Sequence, residues 1–286
     1  MKVGVIGAGA WGTALAITAA RGGADVVLWS YDGIHKVFEN VEMPENIHIT
    51  SDMQKMHDMD TWLVVTPGAF FRETMRKARD TYNGQPVIIC TKGAENTTGQ
   101  FMSEILNTEI PECVDFGVLS GPQFAAEVAL GVPTGSTLAG TNNAIVAGQG
   151  ALNKLYIEVS DDIIGTQVCG VGKNAVALIC GYNSIKCAEN ERALIFTRAW
   201  NEVMAIGMAM GGQMRTFLGL CGIGDLFLSA TSATSRNFAG GVAIANGNPP
   251  QGTVEGIFAL GGLIARAKDL GIDVPVLTEM QQKLKI

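Results

Sequence analysis

The sequence predicts an α/β protein in which an N-terminal doubly wound sheet is followed by an all-α C-terminal domain. Short apolar runs alternate with helical patterns through the first half of the 286 residues, as in parallel sheets covered on both faces. A turn with three regularly spaced glycines follows the first run. Beyond about residue 165 the chain is dense in Ala, Ile, Leu and Met, with charges at helical intervals. We therefore expect one domain over residues 1–165 and a helical domain over residues 166–286.

The first strand and the turn after it are the most informative part of the chain. Residues 3–6 are typical of a short buried strand and residues 13–21 of a helix, with Gly7, Gly9 and Gly12 between them at G-x-G-x-x-G spacing. This spacing allows a tight turn, a pyrophosphate close to the backbone and close packing of helix on strand. The pyrophosphate would lie on the N–H groups that open the helix. The pattern favours a Rossmann-like dinucleotide site over a glycine-rich turn without a ligand.

The remaining elements follow the same alternation. Further strands are predicted over residues 25–29, 62–67, 86–90, 116–119, 134–139 and 155–159, with helical patterns over 70–82 and 100–106. In the second half, helices are predicted over residues 173–210 and 254–270, separated by a loop rich in Ser, Thr, Asn and Gly. Alternating strands and helices after a glycine turn are typical of a doubly wound fold.

Composition excludes several classes of function. The net charge of −7 argues against nucleic acid as a partner, since phosphate backbones require a basic face. The six cysteines form no C-x-x-C pair and no histidine lies beyond His57, so no metal site is expected and the cysteines are interpreted as free thiols of a reducing cytosol. The longest uncharged run, residues 128–153, contains a proline and many glycines, so no membrane span is expected, and no signal peptide is visible.

Polar residues follow several predicted strands, at the edge where doubly wound sheets bind ligands. Lys92 follows the strand at 86–90, and a lysine at a buried strand end costs desolvation unless it meets an anion. A lysine whose stem packs while its head reaches water is the alternative. Ser30, Tyr31 and Asp32 follow the second strand, where an acid commonly binds the adenosine ribose hydroxyls.

Two segments of the helical half carry chemistry. Lys173, in the run Gly-Val-Gly-Lys-Asn, is placed at the start of an apolar helix, where a lysine can act as general acid or base; a surface lysine at a helix start is the alternative. Hydroxyls of residues 229–235 surround Arg236, which suggests a phosphate site. A solvated Ser/Thr loop with an exposed arginine explains that second pattern equally well.

Taken together, these segments resemble NAD(P)-dependent glycerol-3-phosphate dehydrogenase of the soluble bacterial type. The matching segments run in order along nearly the whole chain. They are Gly-Ala-Gly-Ala-Trp-Gly-Thr-Ala at 7–14, Met-Pro-Glu-Asn-Ile at 43–47, Thr-Lys-Gly-Ala-Glu at 91–95, Ser-Gly-Pro-Gln-Phe-Ala at 120–125, Asp-Asp-Ile-Ile-Gly at 161–165, Gly-Val-Gly-Lys-Asn at 170–174, Gly-Asp-Leu at 224–226, Ser-Arg-Asn at 235–237 and Val-Glu-Gly at 254–256.

The resemblance implies reversible reduction of dihydroxyacetone phosphate to sn-glycerol 3-phosphate with NAD or NADP, feeding phospholipid synthesis. It implies that Lys173 is the acid/base, that Lys92 holds substrate beside the cofactor and that Asp225 orients Lys173 or bonds a substrate hydroxyl. The other substrate residues it implies are Gly121, Gln123, Asn174, Ser235, Arg236 and Asn237. On the cofactor side it implies Gly7, Gly9, Ala10, Trp11, Gly12, Tyr31, Lys92, Ala125, Arg236 and Glu255. It further implies a cytoplasmic homodimer associating through the helical domain.

The chain departs from the family pattern at several positions. Tyr31 stands where the family often has a basic residue for the 2′-phosphate of NADP, Gln123 replaces a serine, and Gly172 replaces a leucine. A second arginine is missing after Asn237. Two alternatives stay open: a related β-hydroxyacid or ketopantoate-type reductase, which would not need Arg236 among hydroxyls, and a weakened homologue that senses dinucleotides.

Overall fold

The computed structural model describes residues 1–95 and 98–285. These divide into two compact units. The first comprises residues 1–92, 100–119 and 123–163, and the second comprises residues 93–99, 120–122 and the chain from 164 onward.

The first unit is built on an eight-stranded sheet. Its strands are β1 (Lys2–Ile6), β2 (Asp25–Trp29), β3 (Ile47–Thr50), β4 (Thr61–Val64), β5 (Val87–Ile89), β6 (Phe116–Ser120), β7 (Gly135–Gly140) and β8 (Tyr156–Ser160), in the spatial order β3-β2-β1-β4-β5-β6-β7-β8. The strands from β3 to β6 are parallel, and so is the pair of β7 with β8. Thr141 N–H donates to Phe116 O at 3.2 Å, so the end of β7 lies beside the start of β6, as in an antiparallel pair.

Helices cover this sheet on both faces. They are α1 (Ala10–Arg21), α2 (Gly68–Ala78), α3 (Met102–Glu109), α4 (Ala125–Leu130) and α5 (Asn142–Ala151). One buried cluster joins Val3 and Val5 to Leu15 of α1, and a second joins Trp62 and Val64 to the helices that follow. Leu63 belongs to the first cluster, whereas its neighbours Trp62 and Val64 belong to the second. Neighbouring residues of one strand therefore enter opposite cores, which confirms the predicted doubly wound fold class.

The connection between β2 and β3 differs from the usual pattern. Residues 30–46 join these parallel strands without a helix, although such crossovers usually contain one. Phe38, Val41 and Met43 pack instead against the first core cluster. The strand β3 was not predicted, because the two central residues of its Ile-His-Ile-Thr sequence are exposed and no apolar run marks it.

The second unit is helical, as predicted. Its helices are α6 (Ile163–Lys186), whose first residue belongs to the first unit, α7 (Glu189–Ala209), α8 (Met214–Leu218), α9 (Asp225–Thr231), α10 (Arg236–Ala245), α11 (Glu255–Asp269) and α12 (Pro275–Leu284). The predicted helix over 173–210 is thus two helices, and much of the predicted Ser/Thr-rich loop is the pair α9 and α10.

The position of Lys173 corrects one prediction. This lysine lies in the middle of α6 and not at its start, because the helix begins ten residues earlier, at Ile163. Gly170 and Gly172 are interior helix residues. A Cβ at Gly172 would lie 2.3 Å from Val203 Cγ1 of α7, so this glycine allows close helix packing and does not mark a helix start.

Within the described residues, α6 is the one helix long and apolar enough, by length and composition, to cross a membrane. Its apolar window is 78% buried inside the protein. A core helix of a globular protein has the same length and composition.

Candidate active site

The glycine turn after β1 has the geometry that its spacing predicts. Gly7 has a φ of +115°, a backbone conformation that residues with a side chain rarely adopt. A Cβ at Gly12 would lie 1.8 Å from Gly7 O, whereas a Cβ at Gly9 would meet nothing within 4 Å. Gly7 and Gly12 therefore let turn and helix pack closely, while the backbone at Gly9 faces open space. Gly9 is also the N-cap of α1 and provides no side-chain cap, so Ala10 and the next residues begin a helix end suited to an anion.

Three polar atoms of the first unit point to a ligand at this edge of the sheet. Trp11 Nε1, Thr66 Oγ1 and Gln123 Nε2 are buried and have no hydrogen-bond partner within the described chain. They follow the carboxyl ends of β1, β4 and β6, where doubly wound sheets bind dinucleotides. Since buried polar groups are nearly always bonded, these orphaned donors and the open backbone at Gly9 fit a polar cofactor such as a dinucleotide.

The loop after β2 presents an aromatic ring and an acid. Tyr31 is 79% exposed. Asp32 Oδ1 accepts from Ser30 Oγ at 2.8 Å and from Ile34 N–H at 3.0 Å. These two hydrogen bonds, that from Ser30 first, lower the pKa of Asp32, so the side chain is a carboxylate that caps its own turn.

The second unit holds Lys173 in a buried polar cluster. Its Nζ donates to Asp225 Oδ1 at 3.1 Å and to Ser229 Oγ at 2.9 Å, and Ser229 Oγ donates to Asp225 Oδ1 at 3.3 Å. Asp225 is 1% exposed and the Lys173 side chain 13% exposed. The wide helical turn Leu220–Gly224 leads into α9, so Asp225 is the first residue of that helix and Ser229 lies one turn later.

Arg236 stands at a helix N-terminus. Ser235 is the N-cap of α10, and its Oγ accepts from Phe238 N–H at 3.4 Å. Arg236 is the first helical residue and is exposed. Within residues 1–95 and 98–285 its guanidinium has no hydrogen bond or ion pair. A bidentate donor beside the positive end of a helix is suited to a phosphate.

A buried network ties this helix start to α6 and α11. Asn237 Nδ2 donates to Asn174 Oδ1 at 2.8 Å, and Asn174 Nδ2 donates to Glu255 Oε2 at 3.2 Å. Gly256 N–H donates to Asn237 Oδ1 at 2.8 Å. In both asparagines the amide oxygen accepts a hydrogen bond and the amide nitrogen donates one. These bonds hold together the first turns of α10, which starts at Arg236, and of α11, which starts at Glu255.

The remaining predicted residues lie near strand ends. Lys92 is half-buried and follows β5 by three positions, and Gly121 follows the last residue of β6. Gln123 Oε1 accepts from Ser136 Oγ of β7 at 2.8 Å, which leaves its Nε2 as the orphaned donor. Ala125 opens α4. Lys92 and Lys173 belong to different compact units.

Sequence reasoning missed the contact made by Ser229. Its position in the sequence groups it with the hydroxyls around Arg236, but it bonds Lys173 and Asp225. Its position four residues after Asp225 would have placed both side chains on one helix face, had α9 been predicted. The hydroxyls of Ser232 and Thr234 bond each other and are solvent-accessible.

Comparison with known proteins agrees with this geometry. The family model described as "NAD-dependent glycerol-3-phosphate dehydrogenase N-terminus" matches residues 2–146, and the corresponding C-terminus model matches residues 162–285. Glycerol-3-phosphate dehydrogenase [NAD(P)+] of Parvibaculum lavamentivorans is 34% identical, over 96% of this chain and 89% of its own length. The enzyme of the same name from Paramagnetospirillum magneticum is 39% identical, over 83% and 92%.

A solved structure shows the same fold. The crystal structure of glycerol-3-phosphate dehydrogenase from Coxiella burnetii superposes with a TM-score of 0.89 and 28% identity, covering 99% of this chain and 97% of that one. The two family models match in order along the chain, curated relatives exceed 30% identity and the fold is shared. These findings agree on one family. The chain belongs to the NAD-dependent glycerol-3-phosphate dehydrogenase family.

Proposed function

We propose that this protein catalyses the reversible NAD(P)-dependent reduction of dihydroxyacetone phosphate to sn-glycerol 3-phosphate, which supplies glycerophospholipid synthesis. The observation that carries the proposal is the buried cluster of Lys173, Asp225 and Ser229, in a family of oxidoreductases. A ketone reductase needs a proton donor for the developing alkoxide, and the second unit has no histidine to provide one.

Lys173 is the acid/base in this proposal. Its ammonium gives a proton to the C2 oxygen during reduction and takes one back during oxidation, while its charge stabilises the alkoxide. Asp225 and Ser229 hold Nζ in place, because both accept from it. A lysine has four rotatable side-chain bonds, and fixing them in advance lowers the entropy cost of reaching the transition state.

Substrate phosphate is assigned to the start of α10. Arg236 is exposed there without an internal partner in the described chain, and Ser235 adds a hydroxyl at the cap. Asn174 and Asn237 support this position through their shared hydrogen bond. Lys92, Gly121 and Gln123 complete the substrate set, with Lys92 holding substrate beside the cofactor.

The dinucleotide is assigned to the domain at 1–165 and substrate chemistry to the domain at 166–286. The bound nicotinamide supplies or accepts the hydride. Gly7, Gly9 and Gly12 shape the pyrophosphate turn, and Ala10 and Trp11 provide N–H donors at the start of α1. Tyr31, Lys92, Ala125, Arg236 and Glu255 complete the proposed cofactor set.

The alternative reductase is less well supported. A β-hydroxyacid or ketopantoate substrate carries a carboxylate and no phosphate, so it would not need Arg236 beside the hydroxyl of Ser235 at the start of α10. A dinucleotide sensor would not require Lys173, Asp225 and Ser229 to be held together in a buried cluster.

The test is the absorbance of reduced nicotinamide, with purified protein, dihydroxyacetone phosphate, and NADH or NADPH in parallel. We expect oxidation that depends on the phosphorylated ketone and is absent with ketopantoate. Cofactor binding without oxidation by this substrate would refute the proposed reaction and move the assignment to another substrate or to sensing.

Two further properties are part of the proposal. A cytoplasmic location is supported by the six cysteines, all free thiols, as in reducing compartments. A homodimer through the helical domain is supported by exposed apolar side chains there, including Leu194, Leu218 and Phe227, since exposed apolar patches mark interaction sites. Light scattering of the purified protein measures the second: a mass near 60 kDa is expected against the 30.1 kDa of one chain.

A further inference from the structure

Lys77 places a cation beside the loop that follows β2. Its Nζ lies 5.3 Å from the ring centroid of Trp29 and 5.3 Å from that of Tyr31. Both distances are within the range of cation–π contacts. Trp29 is buried at the end of β2, and its Nε1 donates to Ser51 O at 3.1 Å. The two rings therefore hold the ammonium at a defined place, although Lys77 is distant in sequence and exposed.

In doubly wound sheets, the loop after the second strand binds part of the dinucleotide. The residues after the second strand contact the adenosine ribose, where an acid favours the free 2′-hydroxyl of NAD and a nearby cation accepts the 2′-phosphate of NADP. The four residues directly after β2, Ser30-Tyr31-Asp32-Gly33, contain no basic side chain, and the first basic residues of the connection are His35 and Lys36. The positions next to the strand end therefore offer no cation for a 2′-phosphate.

The acid of this loop is directed toward the loop's own backbone. Asp32 Oδ1 accepts from Ile34 N–H at 3.0 Å and from Ser30 Oγ at 2.8 Å. Ser30 Oγ also lies 2.6 Å from Ile34 O. One of the two carboxylate oxygens, Oδ1, is thus engaged in the turn, and the Tyr31 ring lies beside Lys77 Nζ.

We propose that Lys77 is the residue that binds the 2′-phosphate of NADP, with Tyr31 as the surface that positions its ammonium. The inference rests on the dinucleotide site of the proposed function. An ammonium is a strong donor to phosphate, whereas its cation–π contact with the exposed Tyr31 ring is weak. Lys77 therefore turns from the ring to the phosphate at little cost. The cation missing from residues 30–33 is provided by α2.

Titration of cofactor binding tests this without turnover. Dissociation constants for NADPH and NADH are measured by nicotinamide fluorescence for the wild type, Lys77→Gln and Lys77→Arg. We expect Lys77→Gln to weaken NADPH about tenfold and NADH less than twofold, and Lys77→Arg to retain NADPH. Tyr31→Leu should weaken NADPH by a smaller factor, since the cation stays but loses its support.

Arg79→Gln is the matched control, because Arg79 is exposed directly after α2 and, in the part of the chain that the structure describes, pairs with exposed Glu112 at 3.3 Å. It should change neither constant. An unchanged NADPH/NADH ratio in Lys77→Gln, or a wild type that binds NADH but not NADPH, would overturn the inference. A wild type that binds neither dinucleotide would instead overturn the proposed cofactor site. Melting temperatures of all variants show whether each remains folded.

Discussion

Lys173 Nζ donates to Asp225 Oδ1 at 3.1 Å across 52 positions of sequence. The lysine lies in the middle of α6 and the aspartate opens α9, so the pair joins two helices. Because Asp225 is almost fully buried, its carboxylate requires hydrogen bonds to remain ionised. Lys173 and Ser229 provide them, and the same contacts fix the ammonium for proton transfer.

Replacing Lys173 by alanine should abolish hydride transfer while sparing the dinucleotide. A positioned general acid contributes about 10²–10⁴-fold, and no other group in this cluster carries a transferable ammonium proton. Single-turnover oxidation of NADH and fluorescence titration of NADH measure the two effects separately. Near-normal turnover in this variant would remove Lys173 from its assigned role.

Replacing Arg236 by alanine should mainly raise the KM for dihydroxyacetone phosphate. A charged hydrogen bond is worth about 1.5–3 kcal/mol, which corresponds to roughly a ten- to hundredfold rise. Steady-state kinetics with varied substrate measure it, and Lys268→Ala, an exposed cation of α11, is the control. If KM stays unchanged while kcat falls, Arg236 does not bind the substrate phosphate.

The glycine turn and Lys173 were predictable from sequence, for different reasons. The turn depends on local backbone geometry, so Gly7, Gly9 and Gly12 could be identified from spacing alone. Lys173 was identified as chemically important, but its position in the helix was predicted wrongly. The sequence around Gly172 predicts a helix start. The close approach of Val203 explains why α6 has a glycine at this interior position.

The contacts that sequence reasoning missed are long-range. Ser229 reaches Lys173 from a helix that its Ser/Thr-rich sequence did not suggest, because hydroxyl residues favour turns over helices. Lys77 of α2 contacts the Tyr31 ring. The two residues are so far apart in the sequence that their spacing predicts no contact. Strand β3 was missed because its pattern is half-exposed.

Acid should destabilise the protein partly through Glu109. Burial alone would raise the pKa of this carboxyl, but hydrogen bonds from Arg76 and Arg72, at 2.8 and 2.6 Å, outweigh burial and lower it. A lowered folded-state pKa gives stability that is present above the unfolded value, about 4.3, and lost as pH falls through the folded value. Glu109→Gln should therefore reduce the pH dependence of the unfolding free energy between about pH 5 and 3.

Chemical denaturation at several pH values measures this effect, and Glu112→Gln is its control. Glu112 pairs with Arg79 at an exposed site, where ion pairs contribute little. If Glu109→Gln and the wild type lose stability in parallel on acidification, the pair with Arg72 and Arg76 does not contribute as argued.

Replacing Thr66 by valine should stabilise the protein in the absence of dinucleotide. Thr66 is 6% exposed and its Oγ1 has no partner within the described chain, and an unsatisfied buried hydroxyl costs about 1–3 kcal/mol. Thr61, the first residue of the strand that ends two residues before Thr66, is the matched control: its Oγ1 donates to Pro86 O at 2.9 Å. Thr61→Val should lower the melting temperature while Thr66→Val raises it; a fall in both would mean that the Thr66 hydroxyl is bonded.

Gly172→Ala should destabilise α6 against α7, although alanine favours helix by about 1 kcal/mol. The new Cβ would lie 2.3 Å from Val203 Cγ1, and overpacking of this kind costs about 1–3 kcal/mol. Val203→Ala removes the clashing methyl groups, so the double variant should be more stable than the sum of the two single changes predicts. Urea denaturation of the four proteins measures that coupling. Additive single changes would show that Gly172 is not required for the close approach of the helix that carries Lys173.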